Sequence, residues 1–273
     1  MNNLGLCVEK QGKSQESLRY YRSALAVWKS AYPGPHQSIA SAYNNIGNVL
    51  MNLGKDDEAA TNFRLALQID IEVLGEDHPK VASKKNNLGA LMMQMGDLSE
   101  AERFLNEALA IRRKKLGKEH PDVAMTLHNL AHLRWKQEQL QEAEQLFREV
   151  LAIKKKSSSP ASFARTQVDL ADLLATEGRA AEAEPLIRGG EETLRATLAS
   201  DDWRLAQAES VLGDVLGRQG HSEKAAILLS DSHRRLKELL GAQAKVTQTA
   251  YRRFKGFCND AEVKTPALCK AIR

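Results

Sequence analysis

No run in this chain approaches the roughly 18 apolar residues needed to span a bilayer. The opening stretch MNNLGLCVEKQGKS also lacks a basic segment followed by an apolar one, so neither export nor a membrane span is expected. Cysteine is scarce. Cys7, Cys258 and Cys269 make an odd count of 3 without C-x-x-C or Cys-to-His spacing. That argues against a disulfide framework or a structural zinc and fits a reducing cytoplasm. With 5% aromatic residues and only 7 prolines, the core must come largely from Leu, Ala, Ile and Val, a mixture that favours helices. A surplus of one charge is missing too. The formal charge of +4 is too small to argue for nucleic acid, which needs basic residues gathered on one face.

What the chain does have is a period. Asn3-Leu4-Gly5, Asn45-Ile46-Gly47, Asn87-Leu88-Gly89 and Asn129-Leu130-Ala131 recur every 42 residues. Gly12, Gly54 and Gly96 keep the same step, as do Ala24-Leu25, Ala66-Leu67 and Ala108-Leu109, and His36, His78-Pro79 and His120-Pro121. One shorter step of 40 leads from Ala131 to Ala171, after which Leu170-Ala171 and Leu212-Gly213 are again 42 apart. Self-similarity at such a period marks a repeat architecture. Within a unit, Ile39, Ala40, Tyr43, Ile46, Gly47 and Leu50 follow helical spacing, and so do Ala59, Phe63, Ala66, Leu67 and Ile69. Each unit is therefore two helices. Small residues at 47, 89, 131, 171 and 213 let the first helix approach the second, and glycines at 54, 96, 178 and 220 suit the left-handed residue that ends it. His-Pro opens the next unit, with proline at the first helical position.

The pattern L-G-x-x-H-P-x-V-A, then N-N-L-G, then G-x-x-x-E-A-E, seen from Leu74 to Glu102, resembles the 42-residue tetratricopeptide repeats of kinesin light chain. The resemblance runs over almost the whole chain and implies a protein-binding array. The expected fold is all-α, a right-handed solenoid of antiparallel helix pairs. About six repeats, at residues 1–35, 36–77, 78–119, 120–158, 159–200 and 201–242, are followed by capping helices over 243–273. Within that last stretch the pattern reads as a helix from Lys245 through Phe257, a turn at Asn259-Asp260 and a short helix after Pro266. Pro185 and Gly189-Gly190 fall in the second helix of repeat five, where a kink and high mobility are expected. Ser159 before Pro160 reads as a helix cap.

No catalytic set emerges. Gly12-Lys13-Ser14 lacks the first glycine of a phosphate loop, since Cys7 stands there, and no strand precedes it. Neither H-R-D nor D-F-G occurs. His36, His78 and His120 lie one repeat apart, too far to share a metal, and read as helix-start residues. His128 and His132 share a helical face by i, i+4 spacing; they read as groove residues or, with a third ligand that the sequence does not reveal, a metal pair. The runs Arg112-Arg113-Lys114-Lys115 and Lys154-Lys155-Lys156 end second helices, where solvated positive charge complements the helix dipole; attraction of an acidic partner or a membrane headgroup is the other reading.

Curved arrays of this kind present their first helices along a concave face. Counting from the small residue of each first helix, the groove positions are Asn44, Asn45, Asn48 and Met51, then Asn86, Asn87 and Met93, then His128, Asn129, His132 and Trp135. The recurring Asn3, Asn45, Asn87 and Asn129 can bind the backbone of an extended peptide, as similar asparagines do in the family resembled, or can bond to the neighbouring helix. Further along, Asp169, Asp172 and Asp214 turn the groove acidic and imply a ligand with a basic segment. The expected function is an adaptor or scaffold binding a partner protein or peptide, with no cofactor, no metal, no nucleic acid and no membrane insertion. The first repeat, begun mid-helix at Met1, leaves a face that can self-associate. The alternative is the regulatory tail of a larger signalling enzyme, since residues 201–213 also resemble repeat tails of bacterial eukaryotic-type kinases.

Overall fold

The computed structural model describes residues 2–10, 13–157, 159–259 and 269, and every regular element among them is an α-helix. The chain divides into two compact units, residues 1–138 and 139–273. The first unit holds α1 (Asn2–Lys10), α2 (Ser14–Ala31), α3 (Gln37–Asn52), α4 (Asp56–Leu74), α5 (Pro79–Met95), α6 (Leu98–Leu116) and α7 (Pro121–Lys136). The second holds α8 (Leu140–Ser157), α9 (Pro160–Thr176), α10 (Ala180–Thr197), α11 (Trp203–Arg218), α12 (Ser222–Leu240) and α13 (Lys245–Asn259). α1/α2, α3/α4, α5/α6, α9/α10 and α11/α12 are helix pairs joined by short turns. The all-α fold of helix pairs is as the period implies. Of the expected terminal segment, the helix is α13, whereas the turn at Asp260 and the start of the helix after Pro266 lie outside the described residues.

Close approach inside α3/α4, α5/α6 and α11/α12 is enforced by a missing side chain. A Cβ at Gly47 would lie 2.7 Å from the Phe63 ring, at Gly89 2.6 Å from Leu105, and at Gly213 2.9 Å from Leu229. These contacts are shorter than atoms tolerate, so the pairs would separate if the glycines carried side chains. In α10, where a kink is expected, the helix runs unbroken past Pro185, and Gly190 is buried in a tight approach, with Ala164 O 3.1 Å from where its Cβ would be. Proline there lies on the exposed side of the helix.

Helix starts follow the sequence signals and sharpen them. His36, His78 and His120 are N-caps whose Nδ1 accepts a backbone N–H two residues on, each at 3.1 Å. Ser159 caps α9 by accepting from Ser162 N. The final Glu of G-x-x-x-E-A-E ties repeats together: Glu102 accepts from Arg134 (2.7 Å) and Gln137, and in the second unit Glu144 accepts from Arg179 and Glu184 from Gln219. Arg134 accordingly holds the Glu102 carboxyl below the usual carboxylate range, with help from Gln137.

Two expectations are corrected. The basic runs are not wholly solvated, because Arg112 is 0% and Lys154 8% exposed. Positions 70, 112 and 154 are one step apart, and each places a polar side chain where a second helix meets the next first helix. Asp70 pairs there with Lys84 at 3.3 Å. Arg112 donates to Asp122 O, Thr126 Oγ1 and Ser83 Oγ. Lys154 donates to Ser162 O and Thr166 Oγ1. Buried polar groups need such partners, and the run of charges conceals which member turns inward. The second correction concerns cysteine: Cys258 and Cys269 form a disulfide with Cα atoms 5.6 Å apart, leaving Cys7 exposed and free. Only folding brings the two cysteines to bonding distance, and no spacing motif announces it.

Gly54, Gly96, Gly178 and Gly220 all have positive φ, but the corresponding residue of the fourth repeat is Glu138, with φ 61°. A side chain in that conformation is strained by about 1–2 kcal/mol. Glu138→Gly is therefore expected to raise stability in urea unfolding by about 0.5–1 kcal/mol after the entropic cost of glycine; a fall would contradict the strain. Burial pushes the Lys154 ammonium down to about 8 from its ordinary 10.5. Between those values the unfolded chain holds the proton more tightly, so this residue's contribution to stability rises from pH 8 to 10.5 and is level on either side. Unfolding curves of wild type and Lys154→Met across that window should show the wild type gaining relative to the variant; parallel curves would mean the amine is solvated.

Candidate functional site

The first helices of the first unit present a face whose polar groups are almost all amides. α3 contains no charged residue, and the lysines of α5 bond away from the groove positions: Lys80 to Gln37, Lys84 to Asp70, and Lys85 to Glu107 at 2.7 Å. Arg134 on α7 is held by Glu102. What remains at the groove positions is Asn44, Asn45, Asn48 and Met51 on α3, Asn86, Asn87 and Met93 on α5, and His128, Asn129, His132 and Trp135 on α7. The face is uncharged because its neighbours absorb the charges.

The asparagines form a two-column ladder. Asn45 Nδ2 donates to Asn2 Oδ1 (3.1 Å), Asn87 Nδ2 to Asn44 Oδ1 (2.9 Å) and Asn129 Nδ2 to Asn86 Oδ1 (3.1 Å). The second amide of each pair thus bonds to the first amide of the preceding repeat. Asn2, not the exposed Asn3, supplies the first rung, so sequence reasoning picked the neighbour of the bonded residue. Each bond uses one donor or one acceptor of an amide that has two donors and an acceptor oxygen with two lone pairs, which leaves capacity for a ligand at the half-buried Asn44, Asn45, Asn87 and Asn129, whereas Asn86 is buried. Asn48, half-buried one turn on from Asn44, makes no side-chain hydrogen bond to another described residue.

At the end of the face, the His128 and His132 rings meet edge to face with centroids 4.7 Å apart, and His132 stacks near Trp135 at 6.1 Å. His128 is buried and the other two are half-buried. This makes an aromatic shelf beside the amide rungs.

The corresponding positions of the second unit are acidic, as the sequence indicates, but they are engaged from within. Asp169 is buried on α9. Asp214 on α11 accepts from Arg218 Nε at 2.9 Å. Asp172 on α9 receives the guanidinium of Arg253 from α13, and the same guanidinium donates to Ser210 Oγ at 3.3 Å. Burial raises the Asp172 carboxyl above the usual range, while Arg253 opposes that rise. Arg253 is the residue at these positions that sequence reading missed. The period would have found it, since steps of 42 from Asp169 pass through position 211 to 253.

Profiles described as Tetratricopeptide repeat match residues 1–37 and 39–80, residues 80–156 and residues 164–188. Among curated proteins none matches significantly. Similar solved structures include BtubC (BKLC) from P. vanneervenii, at 25% identity, TM-score 0.60, covering 71% of this chain and 78% of that one. A Podosopora anserina kinesin light chain with nearly identical TPR-like repeats gives 23% identity, TM-score 0.60 and coverage of 76% and 99%. A Rap protein complexed with Competence and Sporulation Factor gives 17% identity, TM-score 0.67 and coverage of 97% and 74%.

The rungs should register in stability. Asn87→Ala is expected to cost about 1 kcal/mol through the lost bond to Asn44, whereas Asn48→Ala should fall within about 0.5 kcal/mol of wild type. Equal midpoints for the two variants in urea would mean that the ladder does not hold the repeats together.

Proposed function

This chain belongs to the tetratricopeptide-repeat family, in its 42-residue, kinesin light chain-like form, and from that premise we propose that it is an adaptor or scaffold without catalytic activity of its own. Its repeats are protein-interaction modules. The ligand is an extended segment of a partner protein lying along the first helices of the first unit. The observation that carries this reading is the uncharged amide ladder: rungs one repeat apart offer both donors and acceptors to a peptide backbone, whatever its side chains. Half-buried Met51 and Met93 between the rungs suit apolar side chains, because an unbranched thioether adapts its shape. The shelf of His128, His132 and Trp135 adds stacking area at one end. No helix among the described residues is long and apolar enough to cross a membrane. The Cys258–Cys269 disulfide weighs toward an oxidising compartment and against the reducing cytoplasm that scarce cysteine favours.

A peptide array probed with the purified protein tests this. Wild type is compared with a variant carrying Asn45→Ala, Asn87→Ala and Asn129→Ala, and with a second carrying Asn48→Ala and Met93→Ala, which breaks no bond between helices. Circular dichroism establishes that each remains helical. Binding should fall at least tenfold in both. Full binding by the second variant would remove the ligand from this face, even if the first loses its fold.

A further inference from the structure

We propose that α13 is an autoinhibitory latch: Arg253 occupies in cis the acidic position at which the second unit would otherwise hold a cationic side chain of a ligand. This rests on the reading that first-helix faces bind peptide segments, and it concerns the second unit alone.

The register points to it. Arg253 lies 43 residues after Ser210, the separation of every amide rung in the first unit, where 45 meets 2, 87 meets 44 and 129 meets 86. Arg253 therefore stands where the donating asparagine stands in those repeats. An asparagine reaches only the preceding repeat, but the longer arginine continues past Ser210 to Asp172, 81 residues back and two first helices away. Its guanidinium thus lies along the face on which a ligand would run.

Charge supports the same conclusion. Asp172 shares its surroundings with Asp169 and Asp214, both of which disfavour its ionised form, and Arg253 is the cation that compensates. The side chains of Arg253 and Asp172 are only 13% and 19% exposed, so water replaces this partner poorly. Without Arg253 this carboxyl must take a proton or accept another cation, and a ligand's arginine can supply that cation. The named positions on the matching face of the first unit are all neutral or histidine, so they offer no carboxylate to a cationic side chain. Acidic recognition and its own occupant therefore occur together in one unit, and a ligand carrying arginine must displace Arg253 to bind.

The test uses the full chain and a fluorescein-labelled Ala-Arg-Ala-Arg-Ala peptide, read by fluorescence anisotropy at low ionic strength, where charge pairing is least screened. Arg253→Gln should bind at least tenfold more tightly than wild type. Adding Asp172→Asn should abolish that gain, and an Ala-Gln-Ala-Gln-Ala peptide should show none. Equal affinity for wild type and Arg253→Gln, or a gain that survives Asp172→Asn, would overturn the proposal and leave Arg253 a clamp for α13. If Arg253→Gln loses helicity, Arg253→Lys carries the same arms, with a smaller gain expected because an ammonium cannot hold Ser210 and Asp172 in the same fork. The alanine variant at Asn45, Asn87 and Asn129 should leave the gain intact, so failure of the first-unit reading and failure of this one are separable.

Discussion

The contact between each first helix and its second, made over a glycine or an alanine, is the constraint on which the rest of the structure depends. A ring or a leucine of the second helix occupies the space where a Cβ would stand at Gly47, Gly89 and Gly213. A single helix pair cannot bury its apolar stripe by itself, so pairs so closely spaced must be covered by the next pair. That requirement turns a local contact into a period. It also fixes which side of the first helix is left over: with one side against the second helix and another against the neighbouring repeat, the residues two and three before the small one are the remainder. The amide ladder occurs there, where its rungs bond successive first helices and stacking uses only part of their hydrogen-bonding capacity.

Between repeats, the stabilising contacts are polar at the centre as well as at the edge. Asp70 with Lys84, Arg112 with Thr126, and Lys154 with Thr166 occupy one recurring location with different chemistry each time. A buried charge without its partner is costly, so each interface accepts its own neighbour and penalises another. Shuffled stacking of these repeats would set Lys84 against Arg112 or Lys154. Identical repeats would lack this ordering, which gives the sequence drift between repeats a physical use.

The two units put the same first-helix positions to opposite electrostatic uses. In the first, Lys84 and Lys85 are drawn off toward second helices and the named positions carry no formal charge, so the proposed recognition there depends on hydrogen-bond geometry and shape. In the second, carboxylates occupy the face and an arginine from the last helix neutralises one of them. One scaffold thus offers two kinds of surface, and the difference rests on a few residues at equivalent register.

The sequence alone determined the helix pairs, their step of 42, the His, Ser and Gly signals at helix ends and the small residues at the close contacts, because these depend on local backbone geometry and on spacing. It also indicated the face on which Asn44, Asn45, Asn86 and Asn87 lie, since helical register is a matter of counting. Only the tertiary structure decided that Asn87 bonds to Asn44, that Arg112 and Lys154 turn inward from runs that read as solvated, that Cys258 meets Cys269, and that Arg253 crosses a whole repeat to reach Asp172. Each of these joins residues from different elements. A side chain long enough to point either way chooses its direction by the partner that packing brings within reach, and that partner is not its neighbour in the chain.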